Sequence, residues 1–142
     1  MKIDILKKSD LNATVQNQIS NLFRQLSEDK TQVGLNELLD NKNQITIAYC
    51  VDNEEIIGIA LMCSYKVISG RKAWIEDVVV NLNSRGKGIG RKLINKLLEV
   101  GKEKNLTEIL LFTEEHRTLA IKLYTDLGFK IKGSKMYTLK IK

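Results

Sequence analysis

The chain predicts an α/β fold, one twisted mixed sheet with helices on both faces, and three observations predict it. Short apolar runs rich in β-branched residues alternate with stretches whose apolar residues recur at three- and four-residue steps. No proline, repeat, low-complexity tract or long polar linker interrupts that alternation, so one domain over residues 1–142 is expected. The run Val78-Val79-Val80 reads as a strand buried on both faces, as sheets covered by helices require.

Each element has its own signal. Lys2 to Leu6 alternates enough for a short strand, and Asp10 is a plausible cap for the helix that follows. Val15, Ile19, Leu22, Phe23 and Leu26 give that helix one apolar face. A shorter helix carries Leu35, Leu38 and Leu39 and ends near Asp40-Asn41. Gln44 to Val51 and Ile56 to Ile68 are strands joined by the polar turn Asp52-Asn53-Glu54-Glu55, a hairpin signal. Ser69-Gly70-Arg71-Lys72 turns into a third strand, Ala73 to Val80. A helix then places Ile89, Leu93, Leu97 and Val100 on one side, with Lys92, Lys96, Glu99 and Glu103 largely away from it. Glu108 to Thr113 is a strand, followed by a helix with Leu119, Ala120, Leu123, Tyr124 and Leu127 on one face. Phe129 to Lys132 and Met136 to Ile141 close the chain as strands. The order is β-α-α-β-β-β-α-β-α-β-β.

Composition narrows the function classes. At 142 residues, 43% hydrophobic and 28% charged, the chain has the balance of an ordinary soluble domain able to bury a core. No apolar run approaches the roughly 20 residues that cross a bilayer, and Met1-Lys2-Ile3-Asp4-Ile5 lacks the apolar core of a secretion signal. Cys50 and Cys63 both fall in expected strands, so buried free thiols in a reducing cytoplasm are expected, with no zinc or disulfide framework. The net charge of +6 is concentrated in the second half, where residues 72–142 carry fifteen Lys/Arg against eight Asp/Glu. Sparse aromatics and the absence of nucleic-acid-binding patterns argue that these cations face a small phosphate ligand, not DNA or RNA.

Residues 85 to 90 read Arg-Gly-Lys-Gly-Ile-Gly, between the apolar run Trp74 to Val80 and the amphipathic stretch Ile89 to Val100. A strand that turns through glycines into a helix start suits phosphate, because the first helical N–H groups lack intrahelical partners and the dipole is positive there. Arg85, Lys87, Arg91 and Lys92 add full charges. The spacing fits neither a P-loop nor the G-x-G-x-x-G dinucleotide fingerprint, since Gly86 and Gly88 are followed by Arg91. What remains is R-x-x-G-x-G, formed by Arg85, Gly88 and Gly90. Downstream comes His116-Arg117-x-x-Ala120-x-x-x-Tyr124-x-x-x-Gly128-Phe129, and upstream stands Ile75-Glu76-Asp77-Val78-Val79-Val80. Together, over about residues 45–140, these motifs resemble the GNAT superfamily of acetyl-CoA-dependent N-acetyltransferases, whose fold has the element order given above.

The resemblance implies a single N-acetyltransferase domain that uses acetyl-CoA as co-substrate. The loop backbone from Arg85 through Gly86, Lys87, Gly88, Ile89 and Gly90 to Arg91 would bind the cofactor's pyrophosphate. The strand at Val78, Val79 and Val80 would offer backbone groups to the pantetheine arm, with an N–H near Val78 facing the thioester carbonyl. Tyr124 would protonate the leaving thiolate. Arg117 stands where many members carry an asparagine that touches the cofactor, while others carry His-Arg; it is read as a surface or phosphate-facing cation, and no metal role is expected for His116.

Glu76 and Asp77, adjacent on a strand, are expected on opposite faces, so that only one lines the cleft as base. Glu76 is the first candidate, Asp77 the second, and a base elsewhere or bulk water the third. Sugar-phosphate acetyltransferases of the superfamily show a similar Ile-Glu-Asp string. The acceptor is expected to be a small-molecule primary amine bound by a monomer or homodimer. The alternatives are a protein lysine or N-terminus, or a non-catalytic acyl-CoA sensor.

Overall fold

Asn53 and Glu54 both adopt positive φ, 49° and 65°. Two successive positive-φ residues make the mirror-image turn that matches the right-handed twist of a hairpin. The turn pairs Asp52 with Glu55 and so fixes the register of β2 (Ile45–Asp52) against β3 (Glu55–Val67). A second two-residue connection pairs Val67 with Gly70 and starts β4 (Gly70–Val80). In the computed structural model, which describes all 142 residues, this antiparallel meander is the centre of a five-stranded sheet ordered β1-β2-β3-β4-β5. The edge strand β1 (Lys2–Ile5) is antiparallel to β2. The other edge, β5 (Glu108–Leu110), is parallel to β4 and reached through helix α3 (Ile89–Glu103). The remaining helices are α1 (Ala13–Leu26), the single turn α2 (Leu35–Leu38) and α4 (Thr118–Asp126).

The chain divides into two compact units, Met1–Leu111 and Phe112–Lys142. In the first, strand alternation sends side chains to two different helices. Ile47, paired with Leu61, and Ile59, paired with Val79, join Ile19 and Leu22 of α1 in one cluster. The opposite face carries small residues, Ala48 across from Ala60 and Cys50 across from Gly58. A Cβ placed on Gly58 would lie 3.0 Å from Leu93 Cδ1 and 3.1 Å from Ile89 Cγ2 of α3. Glycine therefore lets the first turns of α3 sit directly on the sheet. Ile89, Leu93, Ile94 and Leu97 are fully buried there, each worth roughly 1.5–3 kcal/mol of apolar burial.

Several expectations change. Asn12, not Asp10, caps α1: its Oδ1 accepts from Val15 N–H at 2.8 Å. Asp10 instead accepts from Lys7 N–H, closing the 3₁₀ turn Lys8–Asp10 that precedes the helix. Ile94 and Gly101 join the buried side of α3, while Val100 is half-buried. Val79 is buried, but Val78 and Val80 only half so. The thiols are free, Cys50 buried and Cys63 half-buried. No helix is long and apolar enough to cross a membrane.

The second unit holds α4 and no strand. Leu119 is exposed, leaving Ala120, Leu123, Tyr124 and Leu127 as the covered face. The strands expected at Phe129–Lys132 and Met136–Ile141 do not form; Ile131, Tyr137, Leu139 and Ile141 are all exposed. Alternation says how a strand would face, but a ladder also needs a partner, and a lone two-stranded hairpin is marginal in water.

Candidate functional site

The glycine loop ends in a helix start with no side-chain cap. Gly88, the N-cap of α3, has φ 76° in the left-handed region, and Gly86 has φ 81°. These angles explain the glycines, because an L side chain is strained at either. Nothing lies within 4 Å of a Cβ built at Gly86 or Gly88, so an anion can come onto the backbone there. Arg85, Gly86, Lys87, Gly88 and Arg91 are exposed and Gly90 half-buried, while Ile89 is buried as the anchor that seats the loop on the sheet. Arg85 Nε donates to Val80 O at 3.2 Å, tying the loop to the end of β4. The open backbone, uncapped dipole and local cations fit the pyrophosphate of a nucleotide-bearing co-substrate such as acetyl-CoA.

Only Lys72, Ala73 and Trp74 of β4 pair with β5. Beyond Trp74 the strand runs on to Val80 laddered to β3 alone. Its outer edge over Ile75–Val80 is thus the place where an extended ligand can add as a strand would, the part expected of Val78, Val79 and Val80.

The expectation of opposite faces for Glu76 and Asp77 is overturned by a β-bulge. The register passes from Leu61↔Glu76 to Ile59↔Val79, so Asp77 and Val78 together oppose Ala60. Asp77 takes φ 48°, a left-handed conformation that aspartate tolerates better than most residues. Glu76 is placed opposite Leu61, on the α1 side, and Asp77 lines a cavity on that same side. Desolvation raises the pKa of both carboxyls; the Asp77 charge adds to the rise at Glu76, and Lys30 opposes it at both. Asp77 is exposed as a residue, yet desolvation outweighs the Lys30 charge at its carboxyl. Cys63 belongs to the same neighbourhood: burial raises its thiol pKa, and Glu76 and Asp77 raise it further. It is a poor nucleophile there.

The cavity beside Asp77 has a volume of about 500 Å³. Its lining comes from α1, the segment 30–34, α2 and the inner strands. Lys30 and Phe23 are lining residues that the sequence reading did not single out for the site. Phe23 read as core because helical periodicity cannot separate a core face from a cavity wall. Lys30 carries no sequence signal, being one lysine in a polar connection.

In the second unit, Tyr124 and Phe129 make an edge-to-face pair, with centroids 5.9 Å apart and planes at 68°. The intervening Gly128 has φ 100°, which reverses the chain so that Phe129 N–H donates to Tyr124 O at 3.0 Å. The Tyr-x-x-x-Gly-Phe spacing is therefore a helix C-cap that folds the phenylalanine back onto the tyrosine. Burial raises the phenol pKa of Tyr124, with Arg117 acting in the opposite direction. Arg117 is exposed at the N-cap of α4, and His116 Nδ1 lies 3.3 Å from Glu114 Oε2, both side chains open to solvent.

Comparison with known proteins identifies the family and the fold. The profile of the acetyltransferase (GNAT) family matches residues 14–129. The chain is 37% identical over 65 residues to thialysine N-epsilon-acetyltransferase of Bos taurus, covering 46% of this chain and 38% of that protein. It is 36% identical over 84 residues to glucosamine 6-phosphate N-acetyltransferase of Trypanosoma brucei brucei, covering 57% and 55%. The matches thus span about half or less of each relative's length. The fold superposes on an aminoglycoside acetyltransferase from an uncultured soil metagenomic sample with TM-score 0.79 and 24% identity, over 98% of this chain and 96% of that one. A predicted acetyltransferase from Clostridium acetobutylicum, solved with acetyl-CoA, gives TM-score 0.74 at 20% identity over 97% and 95%.

Proposed function

The chain belongs to the GNAT acetyltransferase family, and from that premise we propose that it transfers acetyl from acetyl-CoA to a primary amine of a small molecule, by direct attack in a ternary complex. The observation that carries this reading is the bulge at Asp77, which sets Asp77 in the lining of a cavity of about 500 Å³, the size of a small-molecule site, with Glu76 on the same face of the sheet. The relatives named for thialysine and glucosamine 6-phosphate acetylation point to the same class of acceptor. The family match crosses the boundary at Leu111, which supports reading residues 1–142 as one N-acetyltransferase domain.

Acetyl-CoA supplies a thioester-activated acetyl group. The loop from Arg85 to Arg91 binds its phosphates, with Arg117 as a further cation, and β4 from Val78 to Val80 aligns its arm through the backbone. The Val78 N–H donates to the acyl oxygen. An amine reaches the site as an ammonium and must lose a proton before it can attack. Glu76 or Asp77 takes that proton, directly or through water, and a raised carboxyl pKa makes each a stronger base than an ordinary carboxylate. Tyr124, whose phenol holds its proton more tightly than usual, gives a proton to the departing thiolate. Cys63 takes no part, since the amine attacks directly.

Acetyl-CoA titration of the protein and of Gly88→Asp, paired with thiol release over a panel of amines, tests the reading. Saturable binding is expected, weakened about tenfold or more in Gly88→Asp, together with amine-dependent thiol release. Absence of binding at millimolar acetyl-CoA removes the proposal. Binding without thiol release from any amine identifies a sensor instead.

A further inference from the structure

The cavity beside Asp77 is chemically uneven. Its most enclosed lining is apolar: Ile19, Ile47, Ile59 and Leu61 are 6%, 1%, 2% and 7% exposed. Its polar lining is shallower, and part of it is spent within the protein, since Gln32 Nε2 donates to Ser20 O at 3.1 Å. Two charged residues line it, Asp77 at the bulge and Lys30 on the connection after α1, and they are of opposite sign. Lys30 acts on Asp77 and Glu76 through its field.

Resting on the acetyl-transfer reading, we propose that the acceptor is an amine on an apolar body bearing an anionic group, its nitrogen directed to Asp77 and its anion to Lys30. The buried floor rewards methylene, thioether or aromatic surface. The same floor offers no partner to hydroxyls, so a sugar ring seated on it would keep only the hydrogen bonds that the shallower walls at Gln16, Asn17, Ser20 and Thr31 supply. An ammonium beside Asp77 is compensated, and an anion beside Lys30 gains an ion pair that a neutral tail does not. Carboxylate and phosphate share the chemistry that Lys30 reads, a compact oxyanion accepting from an ammonium.

Thiol release at saturating acetyl-CoA decides the matter with five amines: 6-aminohexanoate, 5-aminopentylphosphonate, hexylamine, glucosamine 6-phosphate and an aminoglycoside. The two anionic alkylamines should show the highest kcat/KM, and the better of them identifies the anion. Lys30→Met should lower both by about fivefold relative to hexylamine, through KM, the effect of one exposed ion pair; the ratio cancels what the lost lysine field does to Glu76 and Asp77 with every amine. Lys30 is exposed on a connection, so the variant should fold as the parent does, which a melting curve checks. Preference for glucosamine 6-phosphate or the aminoglycoside overturns the acceptor class while leaving acetyl transfer intact. An equal effect of Lys30→Met on all amines, or none on any, overturns the role of Lys30. Acetyl-CoA binding with no thiol release from any of the five removes the acetyl-transfer reading and this proposal with it.

Discussion

The two faces of the β2–β3–β4 meander are built from the same strands and differ in residue size. On the α3 face, Ala48, Ala60, Cys50 and Gly58 are small, so the helix closes onto the sheet and four of its side chains vanish from solvent. On the α1 face the strands offer Ile47, Ile59 and Leu61, and α1 with its following connection leaves a cavity of about 500 Å³ over them. The closed face fixes where the glycine loop begins, and the open face holds the carboxylates and the cavity proposed to take an acceptor. The tightly packed core and the proposed chemistry thus lie on opposite sides of single strands, one residue apart.

That division makes quantitative expectations. The largest belongs to the open face: Glu76→Gln combined with Asp77→Asn should lower thiol release at neutral pH by about 10²-fold or more, recovering partly at high pH where the amine deprotonates unaided. The single variants show which carboxylate is the base, and parent-like rates in the double variant would break the assignment. Tyr124→Phe, which keeps the ring against Phe129, should cost about 10²-fold in turnover with little change in melting temperature. A merely structural tyrosine would leave turnover normal and cost at most about 1.5 kcal/mol of stability.

The closed face should behave in the opposite way. Leu93→Ala should cost about 2–5 kcal/mol in chemical denaturation while the folded fraction turns over near normally. Gly58→Ala, whose new methyl would meet Leu93 and Ile89 at 3.0 and 3.1 Å, should cost about 1–3 kcal/mol. It should also weaken acetyl-CoA binding, because Ile89 opens the helix that carries the loop. Equal losses of activity and stability in Leu93→Ala would show that the faces are not separable.

The smallest effect concerns pH. The pKa values of Glu76 and Asp77 are raised in the fold, so the folded state disfavours their charged forms. Their contribution to stability is full below the ordinary carboxylate range and is lost as pH rises through the raised values. The double variant, which does not titrate, should therefore melt slightly higher than the parent at pH 7, and the gap should close below about pH 4. A gap that widens on acidification would contradict the desolvation of these groups.

Much of this was legible beforehand, for identifiable reasons. Periodicity located α1, α3 and the meander because each buries one face continuously, and the glycine spacing located the loop because positive φ at Gly86 and Gly88 admits little else. The bulge was not legible. Alternation forces Glu76 and Asp77 apart only in a regular strand, and the one hint of irregularity was an aspartate, a residue that tolerates the left-handed region. The segment that lines the cavity was illegible for another reason, since Lys30 gains its meaning from strands that follow it in the chain. The last two strands failed because Ile131, Tyr137, Leu139 and Ile141 alternate with polar neighbours without a ladder to join.

The short ladder between β4 and β5 has a consequence for how the protein assembles. The meander closes through two-residue turns, so its contacts are near in sequence and inexpensive in chain entropy. The three parallel rungs at Lys72–Trp74 instead join residues more than thirty positions apart, and they require α3 to be in place. In refolding, β2–β4 should gain amide-exchange protection first, and Ile109 and Leu110 late. The edge along which the co-substrate is proposed to lie would then be among the last surfaces completed, and the first to open when the native protein fluctuates.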